Sequence, residues 1–387
     1  MWEFNTEITN FFSDRLLEWY QRHKRDLPWR RSRDPYHIWI SEVMLQQTRV
    51  ETVIPYYYKF IEQFPTVEAL ADAKEEDVLK AWEGLGYYSR ARNLQSAVRE
   101  VKESYGGVVP DSKEAFGSLK GVGPYTAGAV LSIAYNLPEP AVDGNVMRVL
   151  SRFFLLRDDI AKPATRTGLE KLARALIPEG EAGSFNQALM ELGATVCTPK
   201  SPHCLTCPVM EHCAGRLEGV QHELPVKTKA KRPKPERRAA ALIEGIGAEA
   251  GKVLIRQRAK KGLLAGMWEL PHAEAPEEVW QLDSERDVPG DKPGLAVQDW
   301  LREKVMEETG MAVEPLGCVM EVEHTFSHIQ WQMRVYRCAF AGYGTPALGD
   351  GLQAHEGQMR WASRQDLDEL AFPNVFLRIL NRHFGRT

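Results

Sequence analysis

Glu42 sits in the stretch YHIWISEVMLQQTRV, between Ile38, Trp39 and Ile40 on one side and Val43, Met44 and Leu45 on the other. On a helix such a glutamate has apolar neighbours around most of the circumference. Burial there raises a carboxyl pKa until the group carries a proton near neutral pH. The competing structural reading is a glutamate on the one exposed face of a buried helix. Further along, AVDGNVMRVLSRFF offers Asp143 and Asn145, either of which can cap the amphipathic helix that follows. The amide donors and positive end of a helix also keep an aspartate ionised, so that it can face a developing positive charge. A protonated acid and a fixed anion are what cleavage of a glycosidic bond requires around an oxocarbenium-like transition state.

Two further patterns bear chemistry. LKGVGPYTAG, Leu119 to Gly128, places Gly121 and Gly123 around Val122, with Pro124 suited to the first position of a following helix. Amides at such a turn can hold a phosphate without reading sequence, although most glycine turns between helices bind nothing. Cys197, Cys204, Cys207 and Cys213 have the spacing C-x6-C-x2-C-x5-C. Four thiolates so spaced wrap either a zinc ion or an iron–sulfur cluster, in a structural rather than a catalytic role. Cys318 and Cys338 lie outside the cluster and read as buried thiols.

These residues must be positioned by at least two domains, because 387 residues exceed one ordinary core. From residue 5 to about 195 the apolar positions recur at helical spacing, as in ITNFFSDRLLEWY and ARNLQSAVREVKES, with no strand pattern. LPVKTKAKRPKPERR then holds three prolines and seven basic residues, the composition of an extended, solvated tether. Beyond it Ile329, Trp331, Met333 and Val335 alternate with Gln330, Gln332, Arg334 and Tyr336, which predicts a half-buried strand, and QDWLREKVMEETG predicts a helix closed by Gly310. The expected fold is multidomain: an all-α domain over 1–217, a basic proline-containing linker over 218–237, and an α+β domain over 238–387. A net charge of −4 leaves any polyanion to a local patch. MWEFNTEITNFF has neither a cationic flank nor an uninterrupted apolar run, and no span of 18 apolar residues follows, so a cytoplasmic protein without a membrane segment is expected.

SEVMLQQT, GLGYYSRARNL, LKGVGPYTAGAV, VDGNVMRV and the cysteine loop occur in the order and spacing of a known family. The chain resembles the helix-hairpin-helix DNA glycosylases that carry a [4Fe–4S] cluster, specifically the MutY-type adenine DNA glycosylases. The resemblance implies a monofunctional enzyme, monomeric and nucleoid-associated, that removes adenine opposite 8-oxoguanine or guanine in duplex DNA and leaves an abasic site. It makes Glu42 the general acid at adenine N7 and Asp143 the group that stabilises or captures the sugar cation, with Asn145 orienting sugar and water. Tyr125 stands where related lyases carry their Schiff-base lysine. Trp29, Arg30, Leu45 and Gln187 fall in the adenine pocket, and Gln47 and Tyr87 match the residues that wedge into the duplex. Thr48 and the Gly121–Val122–Gly123 turn are expected at the DNA, and the four cysteines hold the [4Fe–4S] cluster. The C-terminal region is similar to Nudix domains through GLLAGMWELP, and HTFSH makes Phe326, Ser327 and His328 candidates for the 8-oxoguanine contact. EKVMEETGM keeps Glu307, Glu308 and Gly310, but Glu303 and Lys304 stand where a hydrolase box has arginine and glutamate, which argues against hydrolysis. The acidic stretch EAPEEVWQLDSERDVPGDKPG has no role in this reading. The rivals are an endonuclease III-like lyase, a nucleotide-pool Nudix hydrolase and a non-catalytic lesion binder.

Overall fold

The computed structural model describes residues 5–229, 231–284, 293–343 and 358–385. It divides into two compact units, Met1–Ala73 with Arg90–Lys229, and Lys74–Ser89 with Ala230–Thr387. The expected architecture, helices first and then α+β, is the one observed, but the units do not follow chain order. Lys74–Ser89, read from sequence as belonging to the helical domain, goes with the C-terminal unit. Among the described residues no helix is long and apolar enough to cross a membrane.

The N-terminal half of the chain forms α1 (Thr6–His23), α2 (Pro35–Leu45), α3 (Val50–Gln63), α4 (Val67–Asp72), α5 (Glu75–Ala81) and α6 (Ser89–Ser104). It continues through α7 (Lys113–Ser118), α8 (Pro124–Tyr135), α9 (Gly144–Phe153), α10 (Pro163–Ala175), α11 (Ala182–Thr195) and the short α12 (Ala214–Leu217). Helix α2 starts because the Asp34 side chain accepts the N–H groups of Tyr36 and His37 and Pro35 takes the first position, where no N–H is needed. It is buried almost all round, from Ile38 to Met44. Helix α11 packs against α1, α8 and α9. Its approach to α9 depends on Gly193, where a Cβ would lie 2.6 Å from Asn145 Cβ. Phe12, Leu16, Phe153, Phe185, Leu189 and Leu192 fill the core between these helices.

The C-terminal unit is built on a mixed sheet of β1 (Lys234–Glu244), β2 (Val253–Gln257), β3 (Trp268–Glu269), β4 (His272–Glu274), β5 (Met311–Thr325), β6 (Ile329–Tyr343) and β7 (Met359–Ala362). Helices α13 (Glu277–Ser284), α14 (Leu295–Thr309), α15 (Asp366–Glu369) and α16 (Asn374–His383) accompany it. The main order is β3-β2-β1-β6-β5, with β4 on β1 and β7 on β2; β1 and β6 run parallel from Lys234↔Ile329 to Glu244↔Ala339. The tether expected up to residue 237 therefore ends earlier, since Lys234–Arg237 already pair in the sheet. At its other end it is also held: the Val226 carbonyl accepts the Ile160 N–H at 3.0 Å, and Asp159 accepts the Thr228 N–H at 3.2 Å.

Strand β6 shows the expected alternation, with Trp331, Met333 and Val335 on one core. The opposite face is not solvated as expected, because Tyr336 and Cys338 lie in a second core. Helix α14 covers that face with Val297, Leu301 and Val305, and ends at Gly310 in the left-handed conformation, φ 68°. Helix α16 covers the first face with Phe376, Ile379 and Leu380. Cys338 is buried as expected, whereas Cys318 is half-buried. In the acidic stretch, Glu277–Ser284 form α13 and residues 285–292 lie outside the described residues.

Candidate active site

Glu42, Tyr125, Asp143 and Asn145 line one cavity of about 160 Å³ in the helical unit. Glu42 comes from the buried helix α2 and is 4% exposed. Its Oε2 accepts a hydrogen bond from Tyr125 Oη at 2.6 Å, from the first turn of α8. Burial pushes the Glu42 carboxyl up to about 7; the Tyr125 hydrogen bond and the Arg30 charge pull it down, and the Asp143 charge pushes it further up. Burial also holds the Tyr125 phenol well above its ordinary range, so it stays protonated. Asp143, rather than Asn145, is the cap of α9: Oδ1 accepts the Val146 N–H at 2.8 Å, while Oδ2 accepts Asn145 Nδ2 at 2.8 Å. Burial raises its pKa against those donors.

Trp29, Arg30, Leu45, Thr48 and Gln187 also line this cavity, so the structure brings the expected pocket residues together with the carboxylates. Gln187 Nε2 donates to the Gly183 carbonyl of its own helix at 3.2 Å. A residue missed in the sequence joins them. Glu191 of α11 binds Arg25 through Nε–Oε1 at 2.7 Å and Arg30 through Nη2–Oε2 at 2.9 Å, and these guanidinium groups carry its pKa, despite burial, down to about 2. The signal was present, because LMELGAT puts Glu191 among Leu189, Met190 and Leu192 much as Glu42 sits among its neighbours. Two buried glutamates thus share one cavity in opposite states, one poised to carry a proton and one fixed as an anion.

Asn145 is tied onward. Its Oδ1 accepts Arg148 Nη2 at 2.8 Å, and Arg148 Nε donates to the Cys197 carbonyl at 2.8 Å. The four cysteines line a second, smaller cavity of about 30 Å³ in the same unit. Arg152, itself 2% exposed, gives Nη1 to Cys197 Sγ at 3.3 Å and donates to the carbonyls of Thr198, Pro199 and Leu224. Burial pushes the Cys207 thiol up to about 12 and raises that of Cys213. Four thiols around one cavity with a guanidinium alongside are, in their chemistry, the donor set of a cofactor held by thiolates.

At the hairpin Gly121 takes φ 80°, and a Cβ there would meet Asn93 Cβ at 2.7 Å. The Val122 N–H closes the turn on the Leu119 carbonyl at 3.1 Å, so Gly121 and Gly123 are left as its exposed residues and Val122 is half-buried. Gln47 is exposed just past α2 with φ 58°. Arg90 fastens that turn, its Nη1 donating to the carbonyls of Val43, Met44 and Gln46. In the C-terminal unit Tyr87 is 45% exposed with φ 48°. Left-handed backbone is rare for such side chains and gathers where surroundings enforce it for function.

Phe326, Ser327 and His328 form the turn between β5 and β6. Phe326 packs edge-on to Trp331, with centroids 4.9 Å apart, whereas Ser327 and His328 are exposed. Of the box carboxylates, Glu307 pairs with Lys304 at 2.6 Å and Glu308 with Arg256 at 2.8 Å. Each is neutralised by a cation of the chain itself.

Residues 40–175 match the model of the HhH-GPD superfamily base excision DNA repair proteins, and residues 245–382 match that of the NUDIX domain. The adenine DNA glycosylase of Homo sapiens is 37% identical over 98% of this chain and 75% of that protein. That of Schizosaccharomyces pombe is 32% identical over 95% of this chain and 88% of its own. The solved structure of a thermostable thymine-DNA glycosylase, 31% identical, superposes with a TM-score of 0.51 over 55% of this chain and 98% of that one. With relatives matched along nearly its whole length and both family models in place, the chain belongs to the adenine DNA glycosylases of base-excision repair.

Proposed function

We propose that the substrate is adenine opposite 8-oxoguanine, or opposite guanine, in duplex DNA, and that the reaction stops at the abasic site. The observation that carries this reading is the Glu42–Tyr125–Asp143 arrangement at one cavity. Glu42, with a pKa of about 7, gives its proton to adenine N7 as the bond from C1′ to the base breaks. Asp143 faces the sugar cation, and water adds at C1′ with its proton returning to Glu42. Asn145 holds Asp143 in place. Trp29, Arg30, Leu45 and Gln187 hold the extruded base, while Gln47, Thr48, Tyr87 and the Gly121–Val122–Gly123 turn contact the duplex. Tyr125 fills the lyase lysine's place with a protonated phenol, which cannot form a Schiff base.

Cys197, Cys204, Cys207 and Cys213 would hold a [4Fe–4S] cluster, whose role when bound is to fix the loop that Arg152 and Arg148 connect to α9. The C-terminal unit, with Ser327 and His328 at an exposed turn, reads 8-oxoguanine. The chemistry is thus assigned to the helical unit, Met1–Ala73 with Arg90–Lys229, and lesion reading to the unit of Lys74–Ser89 with Ala230–Thr387, with the protein acting as a cytoplasmic monomer on DNA. The test is to offer duplexes with A opposite 8-oxoguanine, A opposite guanine and an oxidised pyrimidine. Free adenine from the first two, with strands cut only after alkali, is the expected result; cutting without alkali, or efficient borohydride trapping, overturns the monofunctional reading. Iron is expected in the purified protein and lost in Cys204→Ser; stoichiometric zinc overturns the cluster assignment.

A further inference from the structure

Lys74–Ser89 precedes most of the helical unit in the chain yet belongs to the unit of the sheet. Directional contacts hold it there. The Glu83 carboxylate accepts the Phe372 N–H at 2.8 Å and pairs with Lys80 Nζ at 2.6 Å. Lys80 also donates to the carbonyls of Leu367 at 2.7 Å and Leu370 at 3.1 Å. Tyr88 Oη donates to the Phe372 carbonyl at 3.3 Å and accepts the Gly84 N–H at 3.2 Å, while Asn374 Nδ2 donates to the Gly84 carbonyl at 3.3 Å. The turn in GLLAGMW lies against the same segment: a Cβ on Gly266 would be 3.6 Å from Glu75 Oε1, and Gln257 Nε2 donates to Glu76 Oε1 at 3.3 Å.

Docking alone can be supplied by Trp82 and Leu85, which are buried. Apolar contact is non-directional, however, whereas hydrogen bonds to a backbone fix an angle. The residue that these bonds present is Tyr87, between Gly86 at φ 72° and the anchored Tyr88, itself in the left-handed region and exposed. A strained tyrosine keeps such a conformation only where its surroundings over-determine it.

We propose that Glu83, with Lys80, is a positioning residue for Tyr87: docked on the Leu367–Phe372 backbone, it locks the turn in its wedging conformation. The unit that reads the opposite base thereby also governs extrusion of the adenine. The proposal rests on the reading of Tyr87 as a wedge. Loss of Glu83 leaves the Phe372 N–H and the Lys80 charge without this partner. Glu83→Gln keeps an acceptor of the same shape for Phe372.

The test uses the full chain and a duplex with a non-hydrolysable 2′-fluoro-adenosine opposite 8-oxoguanine and 2-aminopurine as its neighbour, whose fluorescence rises on unstacking. Tyr87→Ala and Glu83→Ala should each slow the rise by about tenfold or more. Glu83→Gln should restore much of it, and adding Glu83→Ala to Tyr87→Ala should slow it no further. Asn374→Ala, far along the chain, should give a smaller change in the same direction, and it keeps the test open should Glu83→Ala fold poorly. A normal rise in Glu83→Ala and Asn374→Ala while Tyr87→Ala is slow overturns the positioning role and leaves the wedge standing. Additive losses in the double variant overturn it as well, marking a general structural effect. A normal rise in Tyr87→Ala overturns the wedge reading itself.

Discussion

Glu42 and Glu191 show how far a side chain's surroundings outrank its type. Both are buried, but Glu42 accepts one neutral phenol while Glu191 is gripped by two guanidinium groups, so one pKa stands at about 7 and the other at about 2. For Glu42 the folded value lies above the ordinary 4.5, so the folded state binds the extra proton between those values and stability falls as pH rises toward 7. Above that range a buried carboxylate costs up to about 3 kcal/mol. Glu42→Gln is therefore expected to abolish adenine release yet to unfold at higher denaturant than the parent at pH 8, with the advantage gone below about pH 5. Glu191 has the opposite sign, contributing stability above its ordinary 4.5 that disappears as pH falls toward 2. Single-turnover excision should decline above about pH 7 as Glu42 loses its proton. Tyr125→Phe, which removes a hydrogen bond that favours the anion, should move that decline to higher pH. A pH profile without this movement would separate Glu42 from the acid step.

At the scale of elements, the site depends on how closely helices approach. Asn145 can hold Asp143 and Arg148 together only because α11 passes with no side chain at Gly193. In Gly193→Ala the new methyl would lie 2.6 Å from Asn145 Cβ and 3.1 Å from its Cα, neither of which can swing aside like the end of a long side chain. Overpacking of this kind costs about 1–3 kcal/mol. The variant should melt earlier and lose excision out of proportion to that loss of stability, because the α9 start that carries Asp143 is displaced. Thermal unfolding and single-turnover rates measured on the same preparation distinguish this from general instability: wild-type excision at a temperature where the variant is folded would show that the α9–α11 spacing does not set the site.

For the whole molecule, the carboxylates of the proposed chemistry and the turn proposed to read the lesion fall on different compact units. The residues of HTFSH divide accordingly: Phe326 belongs to the packing around Trp331, while the side chains of Ser327 and His328 are exposed at the turn. Replacing both with alanine should lower the preference for A opposite 8-oxoguanine over A opposite guanine and leave the single-turnover rate on bound A opposite guanine unchanged. Groups outside the reacting site contribute differential binding and nothing more. Unchanged discrimination in competition between the two duplexes would move the reader elsewhere.

The features legible in the sequence were those decided within a few residues. Asp143 caps α9 and Gly310 closes α14 because caps use adjacent amides, Pro124 opens α8 because it lacks an N–H, and Glu42 is buried because its own helix is apolar all round. The four cysteines were equally visible, since one short loop brings them together. What only the tertiary structure decided lies between residues far apart in the chain. The state of Glu191 comes from arginines more than a hundred residues away, the second buried face of β6 from a helix that covers it, and the membership of Lys74–Ser89 from the backbone of Phe372. The physical reason is range. Backbone caps and turns are satisfied by neighbours, whereas burial, charge pairing and sheet coverage depend on which distant groups the fold delivers, and no local pattern records that choice.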